Sequence, residues 1–278
     1  MVIHATDSFQ VTRSGVSTIL VLAGNDLAGP LLCAIEAHFA NSLVTHVVLL
    51  GGEAKPPFGA AQVIQLGRPR TTSDLKDIFR RYRVEAIIDA SDPFDLSMGM
   101  ICHAAAGQAG IPCLVLQRSL WRRHPMDRWI EVANIPAAIK AAPDVAKKLL
   151  LALPEPECKG FLEHSELECV VRLEGPAIMS QTKTHAAAVE FDRGARSEPG
   201  EGCLLDRHDI GMVVMRATGC ERLRPLVNAT RARDLPLLMV RRGKPGPGTR
   251  TNLVEDALAW LSGEGPCGVS SLVACKTP

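Results

Sequence analysis

The chain has 278 residues, 46% hydrophobic but only 4% aromatic, enough for one large or two modest domains with an aliphatic core. Lys and Arg number 31 against 30 acidic residues, a formal net charge of +1, and one tyrosine and three tryptophans offer little stacking surface. That balance argues against nucleic acid as a partner.

Nine cysteines are scattered without a C-x-x-C pair, which predicts reduced thiols in a cytoplasmic protein rather than a disulfide frame or a zinc site. No basic region precedes a long apolar stretch at the N-terminus, and no apolar run approaches the roughly 18 residues of a membrane span. Neither a signal peptide nor a membrane anchor is expected.

Residues 1–15 read as a loose leader. Thr18 to Gly24 is a continuous apolar run closed by glycine, the pattern of a buried parallel strand. Leu27, Leu31, Leu32, Ile35 and Phe39 follow at helical spacing. Val44 to Gly52 is a second strand, and Gln62 to Gly67 a short third beyond a loop with Pro56, Pro57 and Gly59. Thr72 or Ser73 can cap the helix carrying Leu75, Ile78 and Phe79. Val84 to Ala90 is a strand, Met98 to Ala109 a helix, and Ile111 to Leu116 a further strand.

Past Pro143 the pattern predicts a helix over Val145 to Leu153, and Pro154-Glu155-Pro156 reads as a linker. Strands are expected at Gly160 to Leu162, Glu168 to Leu173, Ile210 to Arg216 and Leu237 to Val240. Leu223 to Arg233 and Asn252 to Leu261 have helical spacing, and 262–278 reads as a flexible tail. Such alternation predicts an α/β protein of two Rossmann-like domains, 16–153 and 154–261, with mainly parallel sheets.

Ligands of open α/β sheets bind beyond the carboxyl ends of the strands, and four such ends carry polar residues. Gly24, Asn25 and Asp26 open a helix, where glycine lets backbone approach a phosphate; the alternative is a plain strand-to-helix turn. Gly52, with Glu53 and Lys55, stands where an adenosine ribose is read, and the mixed charges leave NADPH and NADH both open. Asp89-Ala90-Ser91-Asp92-Pro93-Phe94-Asp95 closes a buried strand; its three carboxylates lack a metal-ligand spacing, so turn and cap roles compete with a functional one. Met215-Arg216-Ala217-Thr218-Gly219-Cys220 offers a hydroxyl and a glycine turn, or a simple loop.

Taken together these segments resemble the precorrin-6A reductase family. The run from Asp89 to Asp95 is similar to the family's Asp-Ala-Thr-His-Pro-Phe-Ala. Ala109 to Arg118, Trp121, Asp127-Arg128-Trp129-Ile130-Glu131-Val132 and Leu235 to Arg242 fit the family's order of parts. The resemblance implies hydride transfer from NADPH to a carbon–carbon double bond of the tetrapyrrole precorrin-6A, giving precorrin-6B in cobalamin biosynthesis, with the cofactor in a cleft between the two domains. It further implies cofactor contacts at Gly24, Asn25, Asp26, Gly52, Gly67, Thr218 and Gly219. Substrate contacts would come from Ser91, Asp92, Arg118 and Arg241, with Arg122, Arg123 and Arg242 as further partners for the macrocycle's carboxylates.

Asp92, where the family has histidine, is the candidate acid. The chain departs from the family's glycine runs at Leu66-Gly67-Arg68-Pro69-Arg70-Thr71 and after the first strand. A relative without catalysis or with altered specificity, binding a nucleotide, tetrapyrrole or protein, is therefore the alternative. No membrane partner is expected, and the chain is read as a monomer or small homo-oligomer.

Overall fold

A computed structural model describes residues 17–39, 43–49, 63–174, 188–192, 197–243 and 248–264. The leader and Gly52 lie outside these, as does the tail beyond 264.

The chain forms two compact units, one made of 1–117 together with 246–278 and the other of 118–245. The first begins with β1 (Ser17–Ala23), α1 (Ala28–Phe39), β2 (Leu43–Leu49), β3 (Val63–Leu66), α2 (Thr72–Tyr82), β4 (Ala86–Ala90), α3 (Leu96–Ala109) and β5 (Cys113–Leu116). The second unit holds β6 (Trp129–Val132), α4 (Ile135–Val145), β7 (Lys148–Ala152), α5 (Glu155–Leu162), β8 (Glu168–Glu174), β9 (Ala188–Asp192), α6 (Glu198–Arg207), β10 (Met212–Arg216), α7 (Arg224–Ala232) and β11 (Leu237–Val240). The chain then returns to the first unit with β12 (Thr249–Thr251) and α8 (Val254–Leu261).

Among the described residues each unit has one six-stranded sheet, and all of its strand pairs are parallel. The first runs β3-β2-β1-β4-β5-β12, the second β9-β8-β7-β10-β11-β6. Both are the 3-2-1-4-5-6 order of the dinucleotide fold. The sixth strand of the first sheet comes from the far end of the chain. That of the second precedes the other five.

Central strands are apolar throughout because parallel strands are covered on both faces. From β1, Ile19 and Val21 pack with Leu31, Ile35 and Trp260, while Leu20 and Leu22 join Leu75, Phe79 and Met98 on the opposite face. In the second unit Leu150, Val213, Met215 and Met239 pack with Leu204, Leu205, Leu226 and Val227. Local chemistry sets the helix ends. Thr71 and Asp74 form a reciprocal capping box on α2, and Gly110, at φ 67°, closes α3 in the left-handed region.

Three expectations need correction. The unit boundaries lie at 117/118 and 245/246, not at 153/154. Leu149, Leu150 and Leu151 belong to strand β7, not to a helix. A short, fully buried apolar run fits either period, and its pairing with β8 and β10 decides the matter. Pro154-Glu155-Pro156 is no linker, since it opens α5, where proline in the first turn loses no helical hydrogen bond; Gly160 to Leu162 is accordingly helical.

Candidate functional site

In the first sheet the strand order reverses between β1 and β4, where Ala23 pairs with Ala90. Ligands of this architecture bind at such a reversal. The predicted residues Gly24, Asn25 and Asp26 leave β1 here, and Ser91 and Asp92 leave β4 beside them.

The backbone N–H groups of Gly24 and Asn25 both donate to the Ala90 carbonyl, at 2.8 and 2.9 Å. The Asn25 amide nitrogen donates to the carbonyls of Leu116 (2.8 Å) and Ser91 (3.3 Å), and its oxygen accepts from the Leu27 N–H at 2.9 Å. Asn25 is thus a clamp on three strand ends. Gly24 and Asp26 are exposed, and the first turn of α1 carries no acidic side chain.

The three carboxylates of the β4–α3 turn have different surroundings. Asp95 caps α3 by accepting from the Met98 N–H at 3.1 Å, takes the Ser97 hydroxyl at 2.7 Å, and pairs with Arg68. Burial alone would raise its pKa, but those three partners together hold it below the ordinary value. Asp95 is thus a helix cap, ion-paired with Arg68. Asp92 is half-buried, and its Oδ1 accepts from the Phe94 N–H at 3.0 Å, an Asx turn.

Asp89 differs from both. It is 6% exposed, and its Oδ1 accepts from the Ser91 N–H at 3.0 Å. Burial pushes its carboxyl above the ordinary range, against the lowering effect of the Ser91 hydroxyl and N–H and of His103. Sequence reasoning treated Asp89 as part of a rim and missed it as a buried acid. The available signal was a single carboxylate ending an otherwise apolar strand.

Gly67 is exposed directly after β3, next to the Arg68 that reaches Asp95. Gly52, Glu53 and Lys55, the expected ribose readers, lie outside the described residues.

In the second unit the reversal falls between β7 and β10. An ion pair spans it. Arg216, at the end of β10, donates from Nε to Glu157 at 2.9 Å and forms a second bond from its Nη2, with Glu157 in the first turn of α5. Thr218 and Gly219 follow β10. The Thr218 hydroxyl oxygen accepts from the Cys220 N–H at 3.2 Å. Gly219 has φ 71°, and a side chain there would collide with the Ser119 carbonyl.

Arg242 donates to the backbone carbonyls of Ala217 (2.8 Å), Arg118 (2.6 Å) and Thr218. Its guanidinium holds the loop together. Arg118 is brought beside Thr218 by that same residue. Arg241 is exposed after β11, and its backbone N–H donates to Val132 at 2.9 Å. Arg122 and Arg123 are exposed as well. No helix among the described residues is long and apolar enough to cross a membrane.

Parallel sheets of this order, with a glycine-containing turn opening a helix at the first reversal, define a doubly wound α/β protein with Rossmann-like units. Comparison with known proteins narrows this. The precorrin-6x reductase CbiJ/CobK family model matches residues 18–262, and the chain belongs to that family.

It is 27% identical over 247 residues to a precorrin-6A reductase of Rhodococcus erythropolis, covering 88% of this chain and 98% of the relative. It is 25% identical over 256 residues to that of Rhodobacter capsulatus, covering 91% and 100%. The solved structure of a CobK precorrin-6A reductase superposes with a TM-score of 0.76 at 22% identity, covering 92% of this chain and all of the other, and so shares its fold. The family is one of cobalamin-biosynthesis oxidoreductases.

Proposed function

We propose that this chain reduces a carbon–carbon double bond of precorrin-6A to give precorrin-6B, with NADPH as the reductant. Family membership over 18–262 is the observation that carries the reading.

The first unit fits the cofactor. Its strand order is that of dinucleotide folds, the α1 first turn bears no carboxylate, and a side chain at Gly29 would meet nothing within 4 Å, so the backbone there is open to a pyrophosphate. At the second reversal, α5 instead presents Glu155 and Glu157 in its first turn, with Glu157 bound to Arg216, a poor setting for an anion. NADPH, when bound, supplies the hydride.

In this reading Gly24 and Asp26 border the phosphates, and Asn25 sets their backbone. Ser91 and Asp92 form the substrate-facing turn. In the second unit, Arg118 and Arg241 are cations of the kind that pairs with carboxylates.

The test is turnover of precorrin-6A with NADPH and, separately, NADH, followed by absorbance and by a mass gain of two hydrogens. Turnover with NADPH supports the proposal. Cofactor binding without turnover would instead identify a relative of altered specificity, and turnover with NADH alone would overturn the cofactor assignment.

A further inference from the structure

We infer that Arg70 reads the 2′-phosphate of NADPH and so sets this chain's preference for NADPH over NADH. The inference rests on the cofactor reading proposed above and names the residue behind that choice.

In a sheet of this order the pyrophosphate sits at the turn after the first strand, and the 2′ position of the ribose is read near the end of the second. Here those strands are β1 and β2, and β3 is the other neighbour of β2. Val48 of β2 pairs with Leu66, the last residue of β3. Gly67, Arg68, Pro69 and Arg70 therefore leave the sheet beside the end of β2 at Leu49. With neighbouring strands about 4.8 Å apart, this exit lies one strand from the ribose position and about 10 Å from the exit of β1.

Among the described residues, the exits of β1 (24–27) and β4 (91–95) carry no cation, whereas the exit of β3 carries two. Both stand where the chain departs from the family's glycine runs. They differ in what they touch. Arg68 is paired with Asp95 at the head of α3. Arg70 is exposed, and among the described residues its guanidinium has no hydrogen bond or ion pair.

The backbone that presents Arg70 is held. Its N–H donates to Asp74 Oδ2 at 2.9 Å, as does the Thr71 N–H at 3.0 Å, within the capping box of α2, and Pro69 before it is buried. Asp74 is also the carboxylate on which the Arg70 charge acts. With its Oδ2 taken by two N–H groups it fixes the main chain and leaves the exposed guanidinium available to a ligand.

A guanidinium suits a phosphate monoester, since its planar donors meet two oxygens at once and its charge is permanent. NADH has a hydroxyl at the same carbon and gains nothing comparable from a cation there. The contact discriminates between the two cofactors instead of strengthening both.

The experiment uses the full-length chain with Arg70→Ala, Arg70→Lys, Arg68→Ala and Lys55→Ala, and it reads binding, not turnover. Fluorescence titration gives Kd for NADPH and NADH, and competition gives it for 2′,5′-ADP and 5′-AMP. Urea midpoints verify that each variant is folded. Losing a charge-assisted contact weakens binding on the order of tenfold or more, so Arg70→Ala should lose about that much for NADPH and 2′,5′-ADP and less than about twofold for NADH and 5′-AMP. Arg70→Lys should keep part of the preference, as a point charge without the planar fork. Should Arg70→Ala not fold, Arg70→Gln takes its place with the same expectations.

An Arg70→Ala chain that keeps the wild-type ratio of NADPH to NADH affinity overturns the inference, the more directly if Arg68→Ala or Lys55→Ala loses that ratio instead. An equal fall for both cofactors overturns it as well, because it puts Arg70 at a group the two share. A wild type that binds NADH alone, or neither cofactor, removes the proposed cofactor and this inference with it. A wild type that prefers NADPH beside an unaffected Arg70→Ala removes the inference alone.

Discussion

The Asn25 carboxamide donates to the Leu116 carbonyl at 2.8 Å, reaching over the end of β4, which lies between β1 and β5 in the sheet. One side chain therefore ties the exits of three parallel strands, and its oxygen also starts the turn into α1. Asn25→Ala removes two well-formed bonds to backbone groups, each worth about 1 kcal/mol net. We expect a loss of about 2 kcal/mol in urea unfolding and a roughly tenfold rise in KM for NADPH. An unchanged KM would show that the clamp does not shape the cofactor turn.

Gly219 should not tolerate a side chain. Its φ of 71° is costly for other residues, and a Cβ would meet the Ser119 carbonyl, a backbone atom that the Arg242-held loop keeps in place. Gly219→Ala is expected to destabilise the chain by about 2 to 4 kcal/mol. Chemical denaturation measures this, and a loss below about 0.5 kcal/mol would contradict the geometry.

The Arg216–Glu157 pair separates the two strand-order reversals in role. Both side chains are largely covered, at 14% and 24% exposure, so Glu157→Ala removes a charged, bidentate partner from a partly buried guanidinium and should cost about 1 to 3 kcal/mol. NADPH affinity, measured by fluorescence titration, should stay within about twofold. A large drop would move the cofactor away from the first sheet.

His46 predicts an acid limb in stability. It is 3% exposed, lies against Tyr82 with ring centroids 4.3 Å apart, and its Nδ1 has no hydrogen-bond partner among the described residues. Burial lowers its pKa from 6.5 to about 4. Above pH 6.5 the ring is neutral in both the folded and the unfolded chain, so it makes no pH-dependent contribution. As pH falls toward 4 the unfolded chain takes up a proton that the folded one refuses, and stability declines by on the order of 3 kcal/mol in total. His46→Phe should flatten the unfolding free energy between pH 6.5 and 4, as followed by urea titrations at each pH.

Most of the first sheet was legible in the sequence. The apolar runs ending at Gly24 and Ala90 became β1 and β4 within two residues at either end, and Asp95 takes the cap role that its residue type offered. Two edge strands, β6 and β12, were not legible. β12 is the three residues Thr249–Thr251, whose register is set by β5 at Leu114–Leu116, and β6 is set by β11. Partners more than 100 positions apart leave no local period to read, which is also why the unit boundaries fell elsewhere than the proline pair suggested.

The run from Asp89 to Asp95 shows the same division. Its amino acids determined a strand end, a turn closed by Pro93 and a helix start, because those depend on local donors, acceptors and dihedral limits. The fates of its carboxylates were decided only by tertiary structure. Asp95 meets Arg68, which lies 27 residues earlier in the chain, and loses its free charge. Asp89 is covered by α3 and becomes the acid that is hard to ionise. A carboxylate's charge follows from what surrounds it, and those surroundings are brought together by folding rather than by sequence neighbours.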